Sequence, residues 1–195
     1  MVTVRDAATV ILVRDRPDLH VFMLRRNDAL VFAPGATVFP GGAVEDDDVR
    51  TAAALGIDQF RIAAARECLE ECGVPLEPAD LVEFARWVTP EGAPRRYDTR
   101  FFVTRAPDEH EGEHDGCELV ASAWMRPADV LRAFGRGDVD LILPTQRSLE
   151  TLARFDRVED LLDDLRETSC PTCHPRSRAR CRRACDAWWP ITRAG

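Results

Sequence analysis

The sequence predicts an α/β fold in which helices accompany a set of strands, and three observations lead to this prediction. Short segments rich in β-branched residues alternate with segments of helical periodicity. One long predicted helix follows a pair of glycines, and further helices come late in the chain. The 195 residues, 45% of them hydrophobic, are enough to fill one core.

The individual elements follow from local signals. Strand composition predicts strands at residues 3–13, 21–24, 81–88, 99–105 and 119–125. Helical periodicity predicts helices at residues 60–72, 127–134, 144–155 and 158–165. Gly73 is predicted to end the first helix at a C-terminal cap, and Pro127 to begin the second. The longest apolar run, residues 7–13, has the length of a strand and not of a membrane span.

Carboxylates concentrate on one face of the first predicted helix. Residues 66–74 read Arg-Glu-Cys-Leu-Glu-Glu-Cys-Gly-Val, which places Glu67, Glu70 and Glu71 at positions i, i+3 and i+4. Residues of the opposite side are expected to be buried, namely Ile62, Ala65, Leu69 and Cys72. Glutamates at this spacing repel one another, and hard oxygen ligands of this kind suit magnesium or manganese. A solvated acidic helix face is the alternative interpretation.

A glycine pair precedes this helix. Residues 38–44 read Val-Phe-Pro-Gly-Gly-Ala-Val, and two glycines let the backbone turn sharply and approach a ligand closely. Together with the glutamate helix, this pattern resembles the signature of the Nudix hydrolases. That signature runs Gly, five residues, Glu, seven residues, then Arg-Glu-apolar-any-Glu-Glu-any-Gly-apolar. Residues 66–74 match every specified position of its second half, and Gly42 matches its first glycine.

The first half of the signature is interrupted. Asp48 stands where the first Glu belongs, and seventeen residues separate it from Arg66, ten more than the pattern allows. We therefore predict an insertion around residues 49–58 that bulges away from the site as a surface excursion. The glycine loop and the helix must still converge on one site.

The resemblance implies a Nudix-type α/β/α sandwich with a mixed sheet, and a hydrolase that uses Mg²⁺ or Mn²⁺ to cleave a pyrophosphate linkage. It implies that Glu67 and Glu71 are metal ligands, together with a backbone carbonyl of the glycine loop at Gly42. Glu70 is expected as a further ligand or as the group that orients the attacking water. The chemistry requires both charge neutralisation and an activated water.

The resemblance also implies an ion pair that fixes the helix to the loop. Arg66 supplies the cation of this pair, and Asp48 is its expected partner. The neighbouring acids Glu45, Asp46 and Asp47 are open alternatives.

A second source of catalytic carboxylate lies before Trp124. Many members of the family carry a glutamate at the position of Glu118, where it reaches the metal site or acts as general base. A base needs only to lie within hydrogen-bond reach of the attacking water. Glu111 and Glu113 in the preceding charged loop are alternatives, and each of the three is equally consistent with a solvated loop charge.

The substrate class is suggested by a further resemblance. In coenzyme A diphosphatases, the region that precedes the Nudix signature resembles two segments of this chain. These are residues 24–27, Leu-Arg-Arg-Asn, and residues 35–42, Gly-Ala-Thr-Val-Phe-Pro-Gly-Gly. Residues 30–34 lack the further arginine and histidine of that region. The resemblance implies coenzyme A, an acyl derivative or a nucleotide sugar as the pyrophosphate substrate.

Charge and cysteine content divide the chain at residue 166. Residues 1–166 carry 20 arginines against 32 acidic residues, whereas residues 167–195 carry 6 against 2. We predict a Nudix hydrolase domain at 1–166 and a Cys/Arg-rich tail at 167–195. The paired cysteines of the tail predict a thiolate site for zinc, with His174 as a substitute ligand and with these four ligands: Cys170, Cys173, Cys181 and Cys185. A flexible tail with incidental cysteines is the alternative.

The acidic body disfavours nonspecific nucleic-acid binding, which needs a basic surface. No export signal is visible at the N-terminus, so the expected location is the cytoplasm. The expected partner is a small nucleotide-type substrate, and a homodimer is left open. Three function classes are compatible with the sequence: a metal-dependent pyrophosphohydrolase, a non-catalytic Nudix-like regulatory protein, and a protein that binds partners through its Cys/Arg-rich tail.

Overall fold

The computed structural model describes residues 2–30, 33–114, 116 and 118–169. Within these residues, eight strands form one mixed sheet that is accompanied by five α-helices and a short 3₁₀ helix at Pro78–Asp80. The strands are β1 Val4–Asp15, β2 Leu19–Arg26, β3 Ala36–Val38, β4 Gly41–Ala43, β5 Val82–Val88, β6 Arg96–Arg105, β7 Leu119–Met125 and β8 Asp140–Leu141. The helices are α1 Asp46–Leu55, α2 Gln59–Cys72, α3 Pro127–Arg136, α4 Leu143–Leu152 and α5 Val158–Ser169.

Strand β1 is the centre of the sheet. The strand order is β5-β6-β1-β2-β3-β8, while β4 also pairs with β1 and β7 also pairs with β2. β1 runs parallel to β6 and antiparallel to β2 and β4. Because helices cover both faces of β1, its middle is a continuous apolar run, and residues 10–13 are completely buried.

Two hydrophobic cores lie on the two faces of the sheet. On one face, Val10 and Leu12 belong to the same cluster as Ala64 and Cys68 of α2. The other face buries Ile11 and Val13 in a cluster with residues of α3, α4 and α5. This layering is the predicted α/β/α sandwich, and the mixed sheet confirms that prediction.

Most predicted elements are present, with shifted ends. The predicted helix at 60–72 is α2, and its end at Gly73 is confirmed by the left-handed backbone of that residue, with φ of 67°. Asp58 caps its beginning by accepting a hydrogen bond from the Phe60 N–H at 3.0 Å. The short strands β3, β4 and β8 were not predicted, because strands of two or three residues carry too little pattern to recognise.

The insertion in the Nudix signature was predicted to bulge away as a surface excursion, but it contains most of helix α1. This helix packs against α2, and it buries Ala52 and Asp48. Leu69 of α2 was also placed wrongly. Its side chain is exposed at 53%, whereas its neighbour Cys68 is fully buried. The buried face of α2 is centred on Ala64, Cys68 and Cys72, which recur every four residues, and Leu69 lies about 100° away from it.

Helix α5 passes the predicted domain boundary at 166 and continues to Ser169, the last described residue. In the part of the chain that the structure describes, every helix is too short or too polar to span a lipid bilayer. The predicted zinc ligands of the tail lie outside the described residues.

Candidate active site

The glycine loop lies directly against β1 and α2. Gly41 and Gly42 form β4, which pairs with Thr9 and Ala8 of β1. A side chain on Gly41 would collide with the β1 backbone, and one on Gly42 would collide with the carboxylate of Glu67. Glycine is therefore required at Gly41, whereas a side chain at Gly42 would displace the Glu67 carboxylate. The structure therefore brings the loop and the helix together despite the insertion.

Glu71 is a half-buried carboxylate that contacts the glycine loop directly. Its Oε2 accepts a hydrogen bond from the Gly41 N–H at 2.8 Å. Burial raises the pKa of Glu71 to about 8, although the Gly41 hydrogen bond and the charge of Arg26 oppose this shift. Glu67 and Glu118 raise the pKa further because their negative charges are close. Three carboxylates thus converge beside the glycine loop.

Glu67 has a similar environment on the adjoining turn of α2. Its side chain is 14% exposed, and burial is the main cause of its raised pKa. The Arg66 guanidinium counteracts this shift, while Glu70 and Glu45 reinforce it. The ionised forms of Glu67 and Glu71 are therefore both disfavoured unless a further cation lies nearby.

Arg66 connects α2 to the glycine loop and to α1. Its Nε and Nη2 donate to the two oxygens of Asp48, each at 3.0 Å, and Nη2 also donates to the Ala43 carbonyl at 3.0 Å. Its Nη1 lies 3.0 Å from Glu67 Oε1 and 2.9 Å from Glu70 Oε2. The hydrogen bonds to Asp48 are the main reason that the pKa of Arg66 is raised above its usual range.

Asp48 is the ion-pair partner of Arg66, as expected, and the three alternative acids are not. It is buried, with 2% of its side chain exposed, and it accepts the Glu45 N–H at 2.8 Å in addition to Arg66. Asp48 is the third residue of α1, so its side chain reaches back toward the start of that helix. The structure therefore brings Arg66 and Asp48 together, and the added helix is what places Asp48 there.

Glu70 has a different environment from Glu67 and Glu71. It is 59% exposed and accepts a hydrogen bond from Arg66 at 2.9 Å. Its charge is near enough to Glu67 to raise the pKa of that residue. The structure thus places Glu70 at the edge of the carboxylate cluster, on its solvent side.

The three carboxylates that were predicted as candidate bases, Glu111, Glu113 and Glu118, have different environments in the structure. Glu118 lies close enough to Glu71 to raise its pKa. Glu111 instead accepts hydrogen bonds from Arg14 and Arg16, each at 2.6 Å. Glu113 is exposed, and its backbone N–H donates to the Cys72 carbonyl at the end of α2.

Arg26 is a site residue that the sequence analysis quoted but did not single out. It follows an irregularity in the pairing of β2 with β7, and its charge lowers the pKa of Glu71. The signal for it lay in the resemblance to the coenzyme A diphosphatases, which covers residues 24–27.

The donor set fits a hard divalent cation. Buried carboxylates with raised pKa values gain the most from a nearby cation, and oxygen ligands are those that Mg²⁺ and Mn²⁺ prefer. Within residues 2–30, 33–114, 116 and 118–169, no group of three or more His, Cys, Asp and Glu side chains is already arranged as a metal site. The ion pair between Arg66 and Glu67 accounts for part of this, since it turns one oxygen of Glu67 toward an arginine.

A family model of the NUDIX domain matches residues 3–145, which is most of the chain. The chain belongs to the NUDIX family. The crystal structure of a NUDIX hydrolase from Alicyclobacillus acidocaldarius is similar, with a TM-score of 0.75 and 27% identity over 84% of this chain and 97% of that one. The predicted family and the predicted fold are thus both confirmed.

Two relatives carry more specific names. Nudix hydrolase 7 of Caenorhabditis elegans is 28% identical over 80% of this chain, which spans only 62% of the length of that relative. Acyl-coenzyme A diphosphatase NUDT19 of Gallus gallus is 23% identical over 96% of this chain and 75% of its own length. That alignment extends over 298 residues, so the avian protein contains segments that this NUDIX chain lacks.

Proposed function

We propose that this protein is a metal-dependent pyrophosphohydrolase that cleaves a nucleoside diphosphate linked to another group. The observation that carries the proposal is the meeting of two half-buried glutamates, Glu67 and Glu71, with a glycine loop that leaves no side chain between them and an incoming ligand. Membership of the NUDIX family supports the same reaction class. The excess of buried negative charge favours a divalent cation over a purely structural role for these glutamates.

The roles of the individual residues follow from their positions. Glu67, Glu71 and the Gly42 carbonyl would hold Mg²⁺ or Mn²⁺, and a bound cation would neutralise phosphate oxygens and acidify a water. Glu118, which lies near Glu71, is the proposed general base. Glu70 is proposed as a further ligand or as the residue that orients the water, because it lies on the solvent side of Glu67.

Arg66 and Asp48 are proposed to position this machinery. Their paired hydrogen bonds fix the rotamer of Arg66, and Arg66 in turn holds Glu67 and Glu70. Arg26 adds a positive charge beside Glu71, where an anionic substrate must enter. An arginine in this place reduces the repulsion between the glutamates and the pyrophosphate.

We propose coenzyme A or an acyl derivative as the substrate. The resemblance at residues 24–27 and 35–42 supports this choice, and so does the name of the avian relative. Arg25 Nη2 donates to both carboxylate oxygens of Asp28, at 3.0 and 2.9 Å, which places a charged pair next to Arg26 at the end of β2. Nucleotide sugars share the pyrophosphate and remain the competing substrate class.

The test is a hydrolysis screen of the purified full chain. Coenzyme A, acetyl-coenzyme A, ADP-ribose, NADH, nucleotide sugars and dinucleoside polyphosphates are each incubated with MgCl₂ or MnCl₂, and again with excess EDTA. We expect release of adenosine 3′,5′-bisphosphate from coenzyme A or its acetyl derivative, or of a nucleoside monophosphate from one of the other compounds, and complete loss of this activity in EDTA. Absence of hydrolysis in every metal-containing reaction would refute the proposed enzyme. Selective cleavage of a nucleotide sugar would instead refute only the proposed substrate.

The interruption of the Nudix signature was the main support for the alternative of a non-catalytic regulatory protein. Helix α1 fills the interruption, and the ion pair of Arg66 with Asp48 still connects the loop to α2. No contact among the described residues therefore favours that alternative.

A further inference from the structure

A second charged cluster lies at the opposite end of β1 from the glycine loop. Gly41 pairs with Thr9, whereas this cluster begins at Arg14, five residues further along the strand. At about 3.3 Å per residue, the two regions are roughly 17 Å apart along β1. The cluster therefore lies away from the glycine loop, although the loop that carries Glu111 contacts the end of α2 through the Glu113 N–H and the Cys72 carbonyl.

A pocket opens here at the carboxyl ends of the parallel strands β1 and β6. It is open to solvent and has a cavity volume of about 50 Å³. Its lining includes three arginines and a histidine: Arg14, Arg16, Arg105 and His110. The carboxyl ends of parallel strands are a common location for ligand sites in α/β folds.

Two nitrogens of this lining are buried without a hydrogen-bond partner. They are the Nε of Arg14 and the Nδ1 of His110. Buried polar atoms are almost always satisfied, so two such atoms around one pocket indicate that a further molecule belongs there. The Arg14 Nε can only donate, and it therefore calls for an acceptor such as an oxygen of water or of an anion.

Glu111 shows which kind of molecule the arginines bind. Its two carboxylate oxygens accept hydrogen bonds from Arg14 Nη1 and Arg16 Nη1, each at 2.6 Å. Arg14 lies near the end of β1 and Arg16 lies in the bend that follows the strand, and both guanidinium groups reach the same carboxylate. Glu111 is 64% exposed, and its pKa is lowered by these two hydrogen bonds. One solvent-exposed carboxylate thus bridges two arginines.

The arginine pair is preorganised by its neighbours. The guanidinium of Arg14 lies 4.0 Å from the ring centre of Trp124, and the Trp124 indole N–H donates to the Glu111 carbonyl at 2.6 Å. These contacts hold Arg14 at 18% exposure, with its donors already oriented. Donors that are fixed in advance lose little entropy when a ligand binds.

Only part of the other charge around the pocket is compensated by residues outside it. Asp15 accepts the Val158 N–H at 3.0 Å, and it lies within 3.6 Å of both Arg105 and Arg157. Asp108 also lines the pocket. Arg14 and Arg16 share a single carboxylate, so this pair carries one positive charge in excess.

We propose that this pocket is a second anion site, which binds a phosphate group between Arg14 and Arg16 when Glu111 swings away. Glu111 is an internal competitor that occupies the arginine pair in the absence of the anion. The phosphate belongs either to free inorganic phosphate or to the phosphomonoester of a nucleotide. The site does not depend on the proposed hydrolysis, because its residues lie outside the glutamate cluster.

Direct titration with inorganic phosphate tests the proposal. Full-length protein in EDTA, which removes divalent cations from the first site, is titrated at constant ionic strength while the Trp124 indole N–H resonance is followed by NMR. We expect a saturable shift, at least tenfold weaker binding in Arg16→Gln, and several-fold tighter binding in Glu111→Gln. Arg132→Gln is the matched control, since this 65% exposed arginine of α3 pairs only with its neighbour Asp129 among the ion pairs described, and it should bind as wild type.

Three results would overturn the proposal. The first is an absence of saturable binding in both wild type and Glu111→Gln up to about 10 mM phosphate, ten times a millimolar Kd. The second is equal affinity in wild type and Arg16→Gln, and the third is weaker binding in Glu111→Gln. AMP, titrated in the same way, separates the two sources of phosphate. An AMP affinity more than tenfold higher, lost in Arg16→Gln, identifies a nucleotide, and equal affinities identify free phosphate.

Discussion

The two ends of β1 carry clusters built from the same residue types in opposite proportion. At the glycine loop, one arginine serves three carboxylates, since Arg66 contacts Asp48, Glu67 and Glu70. At the other end, one carboxylate serves two arginines. The first cluster therefore retains negative charge and suits a cation, while the second retains positive charge and suits an anion. The ratio of charges within a cluster is more informative here than the number of ion pairs.

The two clusters also differ in how far their carboxylates are exposed to solvent. Asp48 has 2% of its side chain exposed, whereas Glu111 has 64%. Water screens an exposed ion pair, but it cannot replace a partner that is lost from a buried one. The ion pair of Arg66 with Asp48 should therefore stabilise the fold, whereas the ion pairs of Glu111 should contribute little to stability.

The largest effect is expected for Glu71→Gln. This change removes the charge of a proposed metal ligand but keeps an oxygen that can accept from the Gly41 N–H. Loss of outer-shell residues of metal sites typically costs 10–100-fold, so loss of a direct ligand should lower kcat/KM by more than about a hundredfold. Steady-state kinetics with the substrate identified by the screen provide the measurement.

The matched control for this change is Glu91→Gln, in an exposed turn between β5 and β6. It should retain full activity. If Glu71→Gln, with a wild-type circular dichroism spectrum, turns over as fast as Glu91→Gln, Glu71 is not a metal ligand.

The next effect is expected for Asp48→Asn. The substitution leaves the Arg66 guanidinium without its buried counter-charge, and breaking buried pairs typically costs about 3–5 kcal/mol. Because Arg66 is itself 20% exposed, we expect about 2–4 kcal/mol in the free energy of unfolding by urea, together with a roughly tenfold loss of kcat/KM.

Asp47→Asn is the control, since Asp47 precedes Asp48 on α1 and is 73% exposed. Its free energy of unfolding should equal that of wild type. Equal stability of the two variants would show that the pair of Arg66 with Asp48 does not fix the loop to α2.

A smaller loss of stability is expected for Gly42→Ala. The added methyl group would collide with the Glu67 carboxylate, so the loop or the side chain must move. Overpacking of this kind usually costs about 1–3 kcal/mol, and hydrolysis should fall because a proposed ligand is displaced.

Gly135→Ala provides the contrast, because Gly135 lies in α3 with open space where its side chain would be. Alanine should stabilise that helix by up to about 1 kcal/mol. Thermal unfolding of both variants distinguishes steric exclusion at Gly42 from a general effect of adding a methyl group. Wild-type activity and stability in Gly42→Ala would contradict the close approach of loop and helix.

The smallest effect on stability is expected for Glu111→Gln. Both of its ion pairs are exposed to solvent on the carboxylate side, so its melting temperature should match that of wild type within experimental error. A clear destabilisation would show that Glu111 fastens its loop to β1, and the contrast between the two ends of the strand would then fail.

Much of the first site was visible in the sequence because its parts are local. Glu67, Glu70 and Glu71 lie within one and a half turns of a helix, and Gly42 follows a recognisable Phe-Pro-Gly motif. The family signature then implied that loop and helix meet, which the structure bears out at Gly42 and Glu67. The strands of five or more residues were recognisable for the same reason, since their composition is local.

The residues that sequence reasoning left open depend on tertiary placement. Asp48 was the expected partner of Arg66, with three neighbouring acids as alternatives, and only the rotation of α1 selects Asp48. Glu118 was the expected catalytic carboxylate and Glu111 an alternative, and only the fold shows that Glu111 lies beside two arginines and Glu118 near Glu71. The arginine pocket went unnoticed because Arg14 and His110 are 96 positions apart and share no motif.

Asp48 connects the conformational fluctuations of a helix to those of a site outside it. Its Oδ2 accepts both the Glu45 N–H, at the start of α1, and a donor from Arg66. Unwinding the first turn of α1 must release Arg66 at the same moment, and Arg66 then no longer restrains the Ala43 carbonyl or Glu67. The first turn of α1 and the glycine loop therefore form one cooperative opening unit, and their amide protons should exchange with solvent at a common rate.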